Sequence, residues 1–231
     1  MSHRFAIYFA PPPGSELEAF GRRWLGRDHV SGEQVERPAI PGCAPDQLDA
    51  VTAFPRHYGF HATLKAPFEL QPGCSAEELH RETSGFAAAR RPFSCPALRV
   101  SGLSAFIALT LAEPSPEMQM LADDCVRVFE RFRAPLPEDE LARRRASGLT
   151  PRQDDYLVRF GYPYVFEDFH FHMTLTGPLE PPEHARMLKL LVDLAGPVTA
   201  APLAVDAIAV YEQPDRTTPF SLTGRYPFQP A

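Results

Sequence analysis

A ten-residue pattern occurs twice in this chain. Residues 60–69 read FHATLKAPFE and residues 171–180 read FHMTLTGPLE, so six of the ten positions are identical across a separation of 111 residues. Apolar and polar side chains alternate at the start of each copy, and this period of two is typical of a β-strand. Any fold of this chain must therefore accommodate two similar strands, which indicates an internal duplication.

The elements expected after each copy come in the same order. Strand patterns over residues 59–68 and 170–177 are each followed by signals for one helix and two further strands. These later elements are a helix after Ser75 with strands near 97–101 and 105–111, and a helix over 182–194 with strands near 203–211 and 220–226.

The part of the chain before the first copy has its own expected elements. Aromatic and branched residues at 4–10 predict a first strand, and Ser15 is a suitable N-cap for a short amphipathic helix. Residues 27–55 contain glycines and prolines with few periodic apolar positions, so we expect a loop there.

These elements predict an α+β fold in one bilobal domain over residues 1–231. We expect two pseudo-symmetric lobes, residues 1–112 and 169–231, each a mainly antiparallel sheet with its helices on the outside. A helical middle segment, residues 113–168, separates them in the sequence. The duplication further predicts that the two repeated strands lie side by side, beside a central cleft between the lobes.

The alternation gives each repeated strand an apolar face and a polar face. The apolar positions of the first copy are Phe60, Ala62 and Leu64, and those of the second are Phe171, Met173 and Leu175. The polar faces carry the first set His61, Thr63 and Lys65 and the second set His170, His172, Thr174 and Thr176. We therefore expect two histidines and two threonines around one cleft, with Lys65 placed to contact a phosphate.

Two histidines and two hydroxyls suit displacement at phosphorus. Imidazoles titrate near neutral pH, so one can act as a general base while the other acts as a general acid. Hydroxyls donate hydrogen bonds to the non-bridging oxygens of an anion. This chemistry needs no metal and no cofactor, and we expect none.

Composition limits the partners and the setting of the chain. A net charge of −6 disfavours long nucleic acid, because binding to a phosphate backbone needs a basic surface. The chain contains no run of 18 apolar residues, so no membrane helix is predicted. The four cysteines are scattered without a C-x-x-C pair, which favours reduced thiols and a cytoplasmic location. We expect a small phosphorylated substrate, and the oligomeric state stays open.

The paired H-x-T motifs resemble those of the two-histidine (2H) phosphoesterase superfamily, and the resemblance covers essentially the whole chain. The longer stretches HYGFHATLKAPF, RFGYPYVF and FHMTLTGPL resemble one branch, a family of uncharacterised proteins associated with bacterial phosphonate-utilisation (carbon–phosphorus lyase) operons. The resemblance implies a 2H phosphoesterase-like fold. It also implies catalytic roles for His61 and His172 and phosphate-binding roles for Thr63 and Thr174.

The resemblance also implies hydrolysis of a small, commonly cyclic, phosphodiester. For a protein of phosphonate metabolism, the resemblance implies a ribosyl 1,2-cyclic phosphate bearing a 5-phosphate as the expected substrate. Other members of the superfamily are RNA 2′,3′-cyclic phosphodiesterases and ligase-like proteins, and an RNA end is the alternative substrate. The long segment 113–168 distinguishes this chain from the small RNA-processing members and is expected to cap or shape the cleft.

Four further residues are candidates for the cleft. Arg56 and Tyr58 precede the first copy and are expected at its entrance, although loop polarity explains them equally well. His170 lies two residues before His172, where it can tune that residue, bind substrate or serve as a structural histidine. Tyr164 can stack on a base or sugar, although such aromatic residues more often pack between elements.

Three other functional hypotheses stay open at the level of sequence. A metal site is suggested by the spacing of His57 and His61 or of His170 and His172, but no third ligand recurs and threonine is a poor zinc ligand. A binding module would use the same residues to hold a nucleotide or phosphosugar without turnover. A purely structural role would have the histidines and threonines satisfy backbone groups between the lobes.

Overall fold

A computed structural model describes residues 3–229 as an α+β fold built on one eight-stranded sheet. The strand order is β6-β3-β4-β5-β2-β1-β7-β8, and every neighbouring pair is antiparallel. The strands are β1 (Arg4–Phe9), β2 (Ala62–Glu69), β3 (Phe93–Leu103), β4 (Phe106–Leu111), β5 (His172–Thr174), β6 (Pro202–Val205), β7 (Ala207–Gln213) and β8 (Ser221–Pro227). The predicted α+β class with mainly antiparallel pairing is confirmed.

Seven α-helices accompany the sheet in the described part of the chain. They are α1 (Glu16–Leu25), α2 (Pro45–Tyr58), α3 (Ala76–Ala88), α4 (Pro116–Phe129), α5 (Glu138–Arg145), α6 (Pro151–Phe160) and α7 (Pro181–Thr199), with 3-10 turns at Glu130–Phe132 and Phe166–Asp168. Ser15 caps α1 as predicted, and Ser75 with Glu78 forms a capping box on α3. Within residues 3–229, no helix is both long enough and apolar enough to cross a bilayer.

The two faces of the sheet differ in composition. Phe5, Ile7 and Phe9 of β1 belong to the main hydrophobic core, whereas Ala6 and Tyr8 belong to a second, smaller cluster. The same alternation places Ile107 and Leu109 of β4 and Met173 and Leu175 of the second repeat in the main core. The opposite face, which we call the site face, carries the histidine and threonine of each H-x-T motif.

The two repeated strands are adjacent, as predicted. Ala62 of β2 pairs with Met173 of β5. One helix and two strands follow β2 as predicted, whereas α7 and three strands follow β5, because the expected strand near 203–211 is divided into β6 and β7. The tryptophan of α1 fixes the second repeat from the core side, because the indole Nε1 of Trp24 donates to the carbonyl of Leu175 at 2.7 Å.

The expected lobe boundaries at residues 112 and 169 do not coincide with the two halves of the sheet. Strands β3 and β4 follow the first repeat in sequence but pair on the far side of β5, while β7 pairs with the N-terminal strand β1. Each half of the sheet is therefore built from both parts of the chain. Long-range strand pairing sets this exchange, and the order of elements along the sequence does not reveal it.

Two local expectations were wrong. The supposed loop over 27–55 contains α2, whose buried Leu48, Val51 and Pro55 follow a helical spacing that the prolines obscured. The second repeated strand is shorter than 170–177, because the backbone N–H groups of Leu175 and Thr176 both donate to the carbonyl of Ile107. Thr176 is consequently buried, where its hydroxyl accepts from the backbone N–H of Ile107, and does not share the site face.

Candidate active site

The pairing of β2 with β5 brings the two H-x-T motifs together. Ala62 opposes Met173, and extending this register by one residue on each side sets His61 opposite Thr174 and Thr63 opposite His172. Residues directly opposite each other in an antiparallel pair have their Cβ atoms about 4.5–5.5 Å apart. Because Ala62 and Met173 point into the core, the four polar side chains share the site face in a chequered arrangement.

The two imidazoles are held by matching hydrogen bonds. Nδ1 of His61 lies 2.9 Å from the carbonyl oxygen of Gly59, and Nδ1 of His172 lies 2.8 Å from that of His170. Since a carbonyl oxygen only accepts, each Nδ1 carries a proton and each Nε2 is left for chemistry. In both motifs the acceptor is the residue two positions earlier, so the repeat preserves the orientation of the ring as well as its identity.

Side chains on the site face confine His61. The ring of Tyr8 stacks on it with centroids 3.7 Å apart, and the hydroxyl of Thr63 lies 3.3 Å from its Nε2. Gly59 stands at φ 79° and ψ 173°, a conformation that is nearly exclusive to glycine. A Cβ on Gly59 would also lie 2.9 Å from Cβ of His29, so glycine is required for the carbonyl that orients His61.

Both catalytic candidates favour the neutral form. Burial lowers the pKa of His61 to about 3, and the hydrogen bond to Gly59 only partly offsets this while the nearby His172 lowers it further. Burial also lowers the pKa of His172, against the opposing effect of its bond to the carbonyl of His170. His61 is thus neutral at neutral pH, which leaves the lone pair of its Nε2 free.

A cavity of about 440 Å³ opens beside Thr63 and His172. Its walls are largely apolar and aromatic, from Phe106 of β4 and from Tyr162, Tyr164 and Phe166 of the middle segment. The segment 113–168 therefore shapes the cleft, as the sequence suggested. His61 and Thr174 are not among the residues that line this cavity, although their register places them next to it.

The remaining cleft candidates have different outcomes. Tyr164 lines the cavity and is 44% exposed, and His170 lines it as well. Tyr58 lies near His61, with ring centroids 6.5 Å apart, and stacks on Phe220 at 5.4 Å.

Arg56 does not reach the cleft. Its guanidinium binds the carboxylate of Asp49 and the hydroxyl of Thr52, each at 2.8 Å, on the surface of α2. The sequence left open whether Arg56 lies at the cleft entrance or is simply a polar loop residue. It lies instead in α2, and the helix directs its side chain back along the helix surface.

The prediction for Lys65 was wrong. Its side chain is only 3% exposed, and its Nζ lies 2.7 Å from a carboxylate oxygen of Glu130. A bulge causes this, because Tyr8 pairs with Thr63 whereas the next residue of β1, Ile7, pairs with Lys65. The extra residue reverses the alternation and turns Lys65 to the core side with Ile7.

Tyr8 and Phe106 also lie beside the histidines, although neither was predicted from the sequence. Tyr8 stacks on His61, and the ring of Phe106 lies 5.9 Å from that of His172. Both alternate with core residues along their strands, which was visible in the sequence. Their relation to the histidines depends on which strands are neighbours, and no local signal gives that.

Within residues 3–229, no three His, Cys, Asp or Glu side chains are grouped so that they could hold a metal ion.

Comparisons with known proteins place the chain in a family. It is 41% identical over 229 residues to the ribose 1,5-bisphosphate phosphokinase PhnN of Janthinobacterium sp. (strain Marseille), covering 97% of this chain and 51% of that protein. It is 35% identical over 177 residues to the protein of the same name from Laribacter hongkongensis (strain HLHK9), covering 77% and 40%. The chain thus spans about half the length, or less, of these relatives.

The structure is also similar to that of E. coli LigT complexed with 3′-AMP, with a TM-score of 0.45, 16% identity and 99% of each chain covered. A family model described as "Protein of unknown function (DUF1045)" matches residues 63–221, a span that includes Thr63 and the whole second repeat. The predicted membership in a family of uncharacterised proteins is confirmed: this chain belongs to the DUF1045 family.

Proposed function

We propose that this protein is a metal-independent phosphoesterase that hydrolyses a small cyclic phosphodiester by two-histidine acid–base catalysis. The observation that supports it most is the matched hydrogen bonding of His61 and His172. Each ring presents Nε2 on the site face because a backbone carbonyl holds its Nδ1–H. A purely structural histidine gains nothing from having this orientation repeated beside a threonine.

In the proposed reaction His61 is the base and His172 is the acid. Nε2 of His61 takes a proton from water as the water oxygen bonds to phosphorus. The phosphorus–oxygen bond to one ester oxygen breaks, and protonated His172 gives the Nε2 proton to that leaving oxygen. The product is a phosphomonoester. His61 ends protonated and His172 neutral, and proton exchange with solvent restores both.

The two threonines stabilise the charge on phosphorus. Thr63 and Thr174 lie diagonally across from each other, each directly opposite one histidine, so their hydroxyls can donate to the two non-bridging oxygens. The hydroxyl of Thr63, 3.3 Å from Nε2 of His61, turns to the phosphoryl group when the substrate binds.

The substrate we propose is a ribosyl 1,2-cyclic phosphate bearing a 5-phosphate. The relatives are named for a kinase that acts on ribose 1,5-bisphosphate, and this chain matches about half of one of them. Addition of water with cleavage of the bond between phosphorus and O2 of this cyclic ester gives ribose 1,5-bisphosphate. A phosphoesterase that makes this compound would supply the substrate from which such a kinase takes its name.

A nucleotide substrate is the second candidate. The aromatic residues Phe106, Tyr162 and Tyr164 around the 440 Å³ cavity provide surfaces on which a nucleobase can stack. This would suit a nucleoside 2′,3′-cyclic phosphate, as in RNA-end processing.

Phosphorus NMR of chelator-treated protein with three substrates tests the proposal. The panel is ribosyl 1,2-cyclic phosphate 5-phosphate, nucleoside 2′,3′-cyclic phosphates and ADP-ribose 1″,2″-cyclic phosphate. We expect the first to give ribose 1,5-bisphosphate at the highest kcat/KM, and preference for a nucleoside cyclic phosphate would select the second candidate. Saturable binding without turnover of any compound would contradict the enzyme and favour a binding module.

The pKa values of the two histidines predict an activity that falls as pH rises. His61 must be neutral, which holds above about pH 3. His172 must be protonated, which holds only below its pKa, and burial lowers that pKa from the usual value of 6.5. We therefore expect kcat/KM, which reports on the free protein, to decline about tenfold per pH unit above pH 6.5.

Replacing His172 with alanine should abolish this alkaline decline, whereas the His61→Ala variant should keep it. Circular dichroism over the same pH range checks that the fold persists. A kcat/KM that is constant from pH 5 to 9, or that rises through pH 6.5, would contradict the assigned roles.

A further inference from the structure

We propose that Arg99 is the centre of an anion subsite that binds a second phosphate group of the substrate, on the opposite side of His172 from Thr63. The inference rests on the proposed phosphoesterase function and specifies its substrate class. That class is a cyclic phosphodiester whose sugar carries another phosphate.

Strand register places Arg99 in line with the catalytic candidates. Arg99 of β3 opposes Thr110 of β4, and Thr110 opposes His172 of β5. Directly opposed residues lie on the same face of a sheet. Arg99 therefore shares the site face with His172, two strands away.

A second cavity, of about 660 Å³, lies beside Arg99. It is lined by Arg99, Ser101 and Thr110, and it shares Leu103, Phe169 and His170 with the 440 Å³ cavity beside His172. The two spaces therefore adjoin at His170. A ligand with its reacting phosphate at His172 can extend from one cavity into the other.

The charge of Arg99 is available for a ligand. The side chain of Arg99 is exposed and, within residues 3–229, forms no ion pair or side-chain hydrogen bond. Many other arginines of this chain are paired, for example Arg133 with Glu130 and Arg152 with Asp168. A guanidinium forms strong hydrogen bonds with a phosphate.

Most of the polar groups near Arg99 in this cavity favour the binding of an anion. Ser101 and Thr110 form a hydroxyl pair 2.7 Å apart, with lone pairs and a proton that can adjust to a phosphate. The N-terminus of α4, with Ser115 and Pro116 on the cavity wall, presents the positive end of the helix dipole. Glu113 also lines the cavity and opposes the anion, so the second phosphate must sit on the Arg99 side.

The spacing fits two phosphates on one sugar. Opposed Cα atoms are about 5 Å apart, so those of Arg99 and His172 are separated by about 10 Å. The arginine side chain extends towards the ligand and shortens the distance that the ligand must span. Phosphates at the two ends of a pentose are therefore close enough to contact both residues at once.

Paired substrates test the subsite. We expect Arg99→Gln to raise KM for ribosyl 1,2-cyclic phosphate 5-phosphate at least about tenfold, because a hydrogen bond between charged groups is lost. KM for ribosyl 1,2-cyclic phosphate without the 5-phosphate should be unchanged, and Arg99→Lys should restore part of the loss. Arg91→Gln, at another exposed arginine outside both cavities, is the matched control and should affect neither substrate.

An equal effect of Arg99→Gln on both substrates, or no effect on either, would overturn the subsite while leaving the phosphoesterase intact. If wild-type protein hydrolyses neither compound, the proposed function fails and equilibrium binding decides the subsite separately. Calorimetry should then show tighter binding of ribose 1,5-bisphosphate than of ribose 1-phosphate, with the difference lost in Arg99→Gln. Equal affinities in wild-type protein would reject the subsite.

Discussion

Alanine at His61 or at His172 should reduce kcat/KM for a cyclic phosphodiester by at least about 100-fold, because each removes one proton-transfer group. Both losses should fall mainly on kcat, since the imidazoles transfer protons in the transition state and contribute little to substrate binding. Steady-state kinetics on each purified variant measure this. The two single losses should be similar in size because both histidines act on one phosphorus atom.

His3→Ala is the matched control for these variants. His3 lies 3.2 Å from Glu212 on the surface, away from both motifs, and its loss should leave kcat/KM unchanged. Thermal unfolding of all three variants separates lost chemistry from lost folding. A folded single variant that retained more than about a tenth of wild-type activity would remove that histidine from the mechanism.

Valine at Thr63 or at Thr174 should reduce kcat/KM about 100-fold, the usual size of effect when one donor to a developing oxyanion is removed. Valine keeps the branched shape of threonine and suits a strand, so the fold should persist. The loss should appear with every substrate in the panel, because the reacting phosphate is common to all of them. Steady-state kinetics on two substrates measure it.

Thr223→Val provides the comparison, since Thr223 lies on β8 and its hydroxyl donates to the carbonyl of Val210 at 3.4 Å. Its activity should equal that of wild type. If Thr63→Val and Thr174→Val both kept wild-type kcat/KM, the hydroxyls would be structural. The phosphate would then depend on other donors.

The duplicated motif made the centre of the fold predictable. Six shared positions in ten residues identified the two strands, and the period of two assigned His61, Thr63, His172 and Thr174 to one face of the sheet. The structure confirms that these strands pair, through Ala62 and Met173. Local rules sufficed here because alternation depends only on the backbone of a regular strand.

The prediction failed where the strand is irregular. Alternation from Thr63 placed Lys65 in the cleft, but the extra residue between them turns Lys65 into the core, where Glu130 pairs with it. A bulge is defined by the pairing of two strands distant in sequence, and a single strand pattern does not show it. The helix α2 was not predicted for a different reason. It contains two prolines, which are typical of loops, although Pro45 stands at the helix start, where proline is favourable.

Residues that join the site from other strands were also beyond reach. Tyr8 and Arg99 carry no motif, and their positions near the histidines follow from the order β3-β4-β5-β2-β1. Several neighbouring strands in that order are far apart in the sequence, so the order is set by long-range packing.

We propose that the two repeats form one acid–base site that works without a metal. The most direct measurement is kcat/KM for the best cyclic phosphodiester after the protein has been stripped with a chelator, before and after zinc or manganese is added back. We expect full activity in the stripped protein and no gain on adding either ion. Activity abolished by the chelator and restored by zinc or manganese would contradict it.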